Sequence, residues 1–201
     1  MPRGRPASAL DPDTTTSDFA CVDLTAFFNN DGISSAPNPA DGAFNIRGNT
    51  FPAEELPPGG TLCAFHGIPF RFPPTDDGAR NNVACVGQDI TFPETRIAGF
   101  SVLGASDFRS EDDAHVRAPH GQTRRVHLGL SGFWPRSRAS FGNRLALSCR
   151  RLHYPRHVQA NMGPRLWIHS VAFAPVRSGA LSLPDNPALH LFALTLKRTT
   201  P

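Results

Sequence analysis

Short apolar runs separated by glycine and proline are the feature that most constrains how this chain can fold. Runs at 61–65 and 68–72 flank a His-Gly dipeptide, which predicts a hairpin whose turn uses the glycine. The same arrangement recurs at 115–118 and 123–128, and evenly spaced short strands are typical of a sandwich or jelly roll. Twenty prolines and 17 glycines argue against a helical bundle, and 15 phenylalanines argue against disorder. We therefore predict an all-β fold, an antiparallel jelly-roll-like β-sandwich with long loops and at most short helical turns.

Further strands follow from the periodicity of the rest of the chain. Alternating apolar and polar residues over 22–26 predict a strand with one buried face. Residues 83–86 and 89–92 are predicted to pair with each other around Gly87, and residues 97–103 suit a central strand. The remaining predicted strands lie at 145–147, 166–173, 180–183 and 189–196.

The domain boundaries follow from composition. Residues 1–19 are rich in Pro, Asp, Ser and Thr without an apolar period, which predicts a flexible lead-in. Residues 20–198 are predicted to form one sandwich domain, because all-β domains often reach this size around a single core. An Arg- and His-rich insertion is expected at about 135–164.

Charge and hydropathy limit the partners. The formal net charge is only +3, and nearly all of the positive charge is arginine, with Lys197 the only lysine. Arginine suits bidentate binding of phosphate or carboxylate, but these arginines are dispersed and no nucleic-acid motif accompanies them, so we expect no nucleic-acid partner. No segment reaches the roughly 20 apolar residues of a membrane span. Without a signal-peptide core we expect a cytoplasmic protein as written, or a secreted one if a leader was removed.

The four cysteines are widely spaced and form no C-x-x-C pair of the kind that zinc sites use. We predict that they are buried free thiols, with one or two disulfides as the alternative if the protein is exported. The cysteines are Cys21, Cys63, Cys85 and Cys149.

Carboxylate and amide side chains near the start of the domain suggest a calcium site. Calcium takes six to eight oxygen ligands from flexible loops. The candidate ligands are Asp23, Asn29, Asn30, Asp31 and Asp41. The same side chains stabilise turns by bonding their own backbone, and this alternative stays open.

Three aromatic residues with polar edges are candidates for ligand binding: Trp134, Tyr154 and Trp167. Sugar sites use such rings to stack on the apolar faces of pyranoses, while neighbouring polar groups fix the orientation. The alternative is a core or edge position for either tryptophan.

We interpret His153 and His157 as residues of a polar surface loop, and a metal site is the alternative. Pro155 between them disfavours the helix on which two histidines four apart would chelate. On an extended strand they would lie about 13 Å apart. Only a loop could bring them together.

Catalysis has no positive support in the sequence. Residues 129–132 lack the second glycine of a nucleophile elbow, and no phosphate-binding glycine loop is present. Glycosidases need two carboxylates at a defined separation, which a sequence does not show. We therefore favour a protein that is not an enzyme.

Several motifs carry a resemblance to a known module. They are Val-Asp-Leu-Thr-Ala-Phe-Phe-Asn-Asn-Asp-Gly-Ile-Ser at 22–34, Asn-Pro-Ala-Asp-Gly-Ala-Phe-Asn at 38–45, Pro-Gly-Gly-Thr at 58–61, Leu-Gly-Leu-Ser-Gly-Phe-Trp at 128–134 and Leu-His-Leu-Phe-Ala-Leu-Thr-Leu at 189–196. In this order they resemble an accessory, carbohydrate-binding-like β-sandwich module found beside catalytic domains in actinobacterial glycoside hydrolases. The resemblance covers about residues 21–197.

This resemblance implies a carbohydrate or glycan as the partner, bound without catalysis through a loop-lined face. The alternative is a structural or protein-interaction module that partners a separately encoded glycoside hydrolase through the insertion at 135–164. The resemblance does not identify individual sugar-binding residues.

Overall fold

The computed structural model describes residues 18–199, so the predicted lead-in lies outside the described residues up to position 17. Within this range strands dominate, and helical structure is limited to three 3-10 turns at Thr25–Phe27, Ala53–Glu55 and Pro119–Gly121. The all-β prediction with at most short helical turns is confirmed. None of the described helical segments has the length and apolarity to cross a membrane.

The described residues form fourteen strands. In chain order they are β1 Phe19–Val22, β2 Ile33–Ser34, β3 Phe51–Pro52, β4 Leu62–Phe65, β5 Ile68–Arg71, β6 Val83–Val86, β7 Asp89–Ser106, β8 Ser110–Arg117, β9 Thr123–Leu130, β10 Arg144–Ser148, β11 Arg151–Tyr154, β12 His157–Ala160, β13 Arg165–Ser182 and β14 Asp185–Arg198.

Eight strands form one antiparallel sheet in the order β1-β14-β7-β13-β8-β9, with β10 added beside β13 and β6 beside β14. The long strands β7, β13 and β14 are neighbours in its centre. The predicted pairing of residues 83–86 with 89–92 is wrong. Instead β6 pairs with β14, whose other edge pairs with β7, and the N–H of Gly87 donates to the carbonyl of Pro184 at 3.0 Å.

Three two-stranded sheets complete the fold. The predicted hairpin of β4 and β5 is confirmed, and its turn residues His66 and Gly67 both have positive φ, at 52° and 79°. Two left-handed central residues match the twist of a two-residue hairpin turn. The predicted hairpin of β8 and β9 is confirmed within the large sheet. Strands β11 and β12 form another hairpin, and β2 pairs with β3 in parallel.

Both faces of the large sheet are buried, which explains the nearly continuous apolar run in β7. Successive side chains of a strand point to opposite faces, so Val102 enters one core and Leu103 the other. The first core comes mainly from the strands of the large sheet itself. The second lies between this sheet and the small sheets, where Phe51 and Phe70 meet Phe192 of β14. The result is the layered arrangement of a β-sandwich.

The cysteines are free thiols, and three of them are buried: Cys63, Cys85 and Cys149. Burial raises the pKa of the Cys63 and Cys85 thiols to about 12. These groups therefore stay protonated and pack as small apolar side chains.

The segment at 135–164 contributes to the folded body. It supplies β10 to the large sheet and forms the β11–β12 hairpin. Cys149 and Leu152 from this segment are buried in the second core. Its arginines therefore lie on an ordered framework.

Candidate functional site

The end of β7 brings two loops together at Asp107. The N–H of Ser106 donates to the carbonyl of Ser131 at 3.1 Å, and the N–H of Phe133 donates to the carbonyl of Ser106 at 2.7 Å. These bonds fasten the chain before Trp134 to the end of the strand. Trp134 therefore lies beside Asp107.

A third loop, residues 44–49, closes on the same point. The side-chain oxygen of Asn45 accepts the N–H groups of Arg47, at 3.0 Å, and of Asn49, at 3.2 Å. Gly48 has a φ of 69°, a left-handed conformation that suits this tight turn. Phe44 anchors the loop in the second core. The turn thereby fixes where Arg47 lies.

Asp107 is the polar centre of this arrangement. Its Oδ1 accepts hydrogen bonds from Nε1 of Trp134 at 3.1 Å and from Nδ2 of Asn45 at 3.0 Å. Its Oδ2 lies 3.8 Å from Nη1 of Arg47. The carboxylate is therefore oriented by two neutral donors, while Oδ2 keeps capacity to accept further bonds.

Two aromatic rings lie beside this carboxylate. The Phe108 side chain is 61% exposed, and its ring centroid lies 6.4 Å from that of Trp134 at an interplanar angle of 33°. The guanidinium carbon of Arg47 lies 5.9 Å from the Phe108 ring and 5.7 Å from the Trp134 ring. We call Asn45, Ile46, Arg47, Asp107, Phe108 and Trp134 the Asp107 surface.

A cavity of about 520 Å³ opens next to the Asp107 surface and shares Asn45, Ile46 and Asp107 with it. Phe44 and His190 also line this cavity, and their rings lie 4.4 Å apart. Burial lowers the pKa of His190 to about 4. The imidazole is therefore neutral near neutral pH, and its Nδ1 donates to Oδ1 of Asn82 at 2.8 Å.

The Asp107 surface combines side chains that suit ligand binding, and its residues do not include the pair of carboxylates used in glycoside hydrolysis. Among its six residues Asp107 is the only carboxylate, whereas glycoside hydrolysis uses two at a defined separation. Exposed ring faces beside a carboxylate, an amide and a guanidinium suit a ligand with both apolar faces and hydroxyl groups.

The three aromatic residues predicted to bind a ligand lie in different parts of the structure. Trp134 belongs to the Asp107 surface. Tyr154 lies in the β11–β12 hairpin and stacks on the ring of His157 at 4.7 Å with an interplanar angle of 4°. Trp167 is only 2% exposed, and its Nε1 donates to the carbonyl of Gly132 at 2.9 Å. The core covers Trp167 because its β13 position faces the second core, so no ring face is left for a ligand.

The predicted calcium ligands each make a hydrogen bond within the protein, and of these bonds only that of Asp23 joins near neighbours in the sequence. The partners are Thr25 for Asp23, Ala84 for Asn29, Asn82 for Asn30, Asn81 for Asp31 and Gly78 for Asp41. Within residues 18–199, no group of three or more His, Cys, Asp and Glu side chains could hold a metal ion. Burial raises the pKa of Asp31, although the hydrogen bond from Asn81 opposes this. Calcium binding stays a prediction.

The segment of His153 and His157, predicted as a polar surface loop, forms the β11–β12 hairpin instead, and the two histidines are not brought together. In the hairpin, His153 pairs with Val158 and Tyr154 pairs with His157. His153 is fully buried, whereas His157 is exposed. Neighbouring positions of a strand point to opposite faces, which gives these two imidazoles different surroundings.

His153 belongs to a buried polar network that the sequence pattern did not reveal. Its Nδ1 lies 2.9 Å from Oγ of Ser34, which lies 2.5 Å from Oγ1 of Thr50. Its Nε2 lies 3.9 Å from Oε2 of Glu54. We call Ser34, Thr50, Glu54 and His153 the His153 network. No local motif could have found it, because Ser34 and His153 are 119 residues apart.

Serine, histidine and glutamate are also the residue types of a hydrolase triad. Ser34, Thr50 and His153 are each 0% exposed, so a substrate does not reach the serine oxygen. Burial lowers the pKa of His153, and the nearby Glu54 carboxylate opposes this shift. The buried part of this network therefore connects β2 and β11 with Thr50, the residue before β3.

Comparison with known proteins supports the fold described here. A search of curated proteins found no match. The family model for the AziU2-like beta-sandwich domain matches residues 18–200, nearly the whole chain. The predicted β-sandwich module is confirmed at this level. The chain therefore belongs to the AziU2-like beta-sandwich domain family.

Proposed function

We propose that this chain is a non-catalytic carbohydrate-binding module that recognises a glycan through the Asp107 surface and the adjoining cavity. The observation that carries the proposal is the exposed Phe108 ring beside Trp134, next to the carboxylate of Asp107. Pyranose rings stack their apolar faces on such aromatic faces, and their hydroxyl groups bond the neighbouring polar side chains.

The size of the cavity supports this assignment. Small-molecule sites measure about 300–1,000 Å³, and the cavity beside Asp107 has about 520 Å³. Apolar side chains of Ile46 and Pro187 and polar side chains of Asn30 and Asn45 line it. The accessible lining is mostly apolar, which suits the apolar face of a sugar unit, while the polar side chains are available to its hydroxyl edges.

Preorganisation also favours ligand binding here. Trp134 and Asn45 already hold Oδ1 of Asp107, and the turn at Asn45 already positions Arg47. Groups held in place before binding lose less conformational entropy when a ligand arrives. Tyr154 lies outside the Asp107 surface, so the proposal does not use it.

A glycan array followed by titration with soluble polysaccharides tests the proposal. Phe108→Ala and Trp134→Ala should each weaken the binding of a hit by about tenfold, because each removes a stacking face. Leu145→Ala is the matched control, since Leu145 is a comparably exposed apolar residue of β10, at 39%. Circular dichroism checks that each variant is folded. Absence of glycan binding by well-folded wild-type protein would overturn the proposal.

A second candidate is a structural or protein-interaction module that partners a separately encoded glycoside hydrolase. The observation that favours it is a group of exposed arginines on the ordered segment 135–164: Arg136, Arg138, Arg144, Arg150 and Arg156. Exposed guanidinium groups steer association with an acidic partner.

Affinity capture from the native host separates the two candidates. Replacing Arg144 and Arg156 with alanine should abolish capture of a glycosidase if the segment is the contact, and it should leave glycan binding unchanged. Capture that survives the double substitution would contradict the second candidate.

A further inference from the structure

We propose a second binding site, specific for a small oxyanion such as phosphate, in a cavity of about 280 Å³ on the segment 135–164. Three arginines line this cavity: Arg136, Arg150 and Arg165. Arginine presents planar N–H donors that match phosphate and carboxylate oxygens in bidentate geometry. Three arginines around one cavity provide donors that suit a small anion.

The charge around the cavity is not neutralised by its own lining. The other lining residues are Pro135, Ser148, Cys149, Asn161 and Gly163, and none of them carries a carboxylate. The nearby carboxylate of Glu55 accepts the backbone N–H of Arg150 at 2.5 Å and Nε of Arg151 at 2.8 Å. Glu55 therefore pairs with Arg151, which does not line the cavity, and its charge also acts on Arg150, which does.

Arg165 has hydrogen-bonding capacity left at this place. Its Nη1 donates to the carbonyl of Ser137 at 2.6 Å, which holds the guanidinium against the neighbouring turn. Its Nε is buried and makes no hydrogen bond within the described structure. Because Nε is closed off, an oxyanion in the cavity would accept from the other N–H groups of this guanidinium.

The backbone of Arg136 gives a second, independent indication. The N–H of Ser137 donates to the carbonyl of Trp134 at 3.1 Å, which closes a turn with Pro135 and Arg136 at its centre. Arg136 has a φ of 70°, at the position where such a turn favours glycine. A left-handed conformation is strained for a residue that has a side chain. Strain of this kind persists where the side chain serves a function.

At the part of the cavity lined by Cys149 and Gly163, two backbone segments lie close together. The N–H of Cys149 donates to the carbonyl of Pro164 at 2.9 Å. A Cβ added to Gly163 would lie 1.8 Å from the carbonyl oxygen of Cys149, so only glycine fits. These backbone contacts fix the position of Arg150 relative to Arg165.

The decisive variant is Arg136→Gly, because glycine suits the backbone of this turn while the guanidinium is lost. We expect the affinity for inorganic phosphate, measured by isothermal titration calorimetry, to fall about tenfold to hundredfold. We expect the midpoint of thermal unfolding without phosphate to stay equal or rise. Arg138→Ala is the matched control, since it removes the same charge from an exposed arginine that does not line the cavity.

Titration of a sugar phosphate, its unphosphorylated sugar and acetate then separates the sources of the oxyanion. Phosphate-dependent binding that Arg136→Gly abolishes and Arg138→Ala retains supports the site. An equal loss in both variants would show a diffuse charge effect and overturn the proposal, as would wild-type protein that binds neither phosphate nor acetate. Glycan binding at the Asp107 surface should be unchanged in Arg136→Gly, so the two proposals fail separately.

Discussion

The polar groups of the Asp107 surface remain open to solvent, whereas Ser34, Thr50 and His153 of the His153 network are closed off from it. Both regions receive side chains from one short stretch of chain, because Arg47 lies near Asp107 while Thr50 lies against Ser34. Each region combines a carboxylate with a nitrogen base or cation. The Arg47 side chain is 52% exposed, and that of His153 is 0% exposed.

Burial, more than residue type, separates the polar groups that are closed off within the protein from those that are accessible to a ligand. A buried polar group must find its partners within the protein, and losing one partner leaves the other unsatisfied. An exposed group exchanges its partners with water at little cost, so a ligand can take the place of water. The two regions should therefore respond oppositely to substitution.

The largest expected effect is a loss of stability on substitution in the His153 network. His153→Ala should lower the free energy of unfolding by about 4 kcal/mol, because it opens a cavity and removes the partner of Ser34. The exposed His157 of the same hairpin is the matched control, and His157→Ala should cost less than about 1 kcal/mol. Urea unfolding measures both. Equal losses would remove the distinction between the two regions.

The next prediction concerns the pH dependence of stability that is due to His190. His190 lines the cavity beside the Asp107 surface, yet it is buried like His153, and burial lowers its pKa from 6.5 to about 4. Below about pH 6.5 the unfolded chain binds a proton at this histidine and the folded chain does not. The free energy of unfolding therefore decreases as the pH is lowered. Between about pH 7 and pH 4 this histidine should account for a loss of about 3 kcal/mol.

Urea unfolding at a series of pH values measures this loss. His190→Gln removes the titrating group while keeping a donor for Asn82, so the variant should show a flatter pH dependence. The same slope in the variant and the wild type would mean that His190 does not contribute to the pH dependence of stability, and that burial does not lower its pKa.

On the exposed side, the expected effect is on binding. Asp107→Asn should weaken glycan affinity by about tenfold, because hydrogen bonds to a charged acceptor are the stronger ones. Stability should change by less than about 1 kcal/mol, since exposed ion pairs contribute little. Asp113, which pairs with Arg125 at 3.3 Å, offers the control Asp113→Asn. Titration calorimetry measures the glycan affinity of both variants. A large loss of stability in Asp107→Asn would mean that Asp107 has a structural role like that of His153.

The smallest expected effect concerns Arg47, whose guanidinium lies over the rings of Phe108 and Trp134. Arg47→Ala should weaken glycan binding by about two- to fivefold, the size of a cation–π contact at an exposed site. Arg124 lies 5.7 Å from the Phe173 ring away from the Asp107 surface, so Arg124→Ala is the matched control. Unchanged affinity in both variants would mean that Arg47 only shields Asp107.

Much of the fold could be predicted because its signals are local. The hairpin of β4 and β5 follows from two apolar runs around one His-Gly turn, and its prediction is confirmed. The pairing of β6 could not be predicted in this way. Its partner β14 lies about a hundred residues further along the chain, as in the pair Val83 with Leu191, and nothing local distinguishes this partner from β7.

The candidate site was predicted only in part. Trp134 was identified from its polar edge and its position after a strand. Phe108 was not singled out, since one phenylalanine among 15 gives no sign that it is exposed. Trp167 has the same side chain as Trp134 but lies in the core, because side chains alternate between the faces of a strand and sequence does not tell which face is covered.

By itself, the sequence determined the class of structure: short strands, glycine turns and apolar residues enough for two buried faces. These properties depend on neighbouring residues, whose backbone angles and alternation are read directly from the chain. Only the tertiary structure decided which polar residues meet. Asn45 reaches Asp107 across 62 positions and Ser34 reaches His153 across 119. Such distant contacts follow from strand order and register, which in turn decide which side chains are buried and which remain open to a ligand.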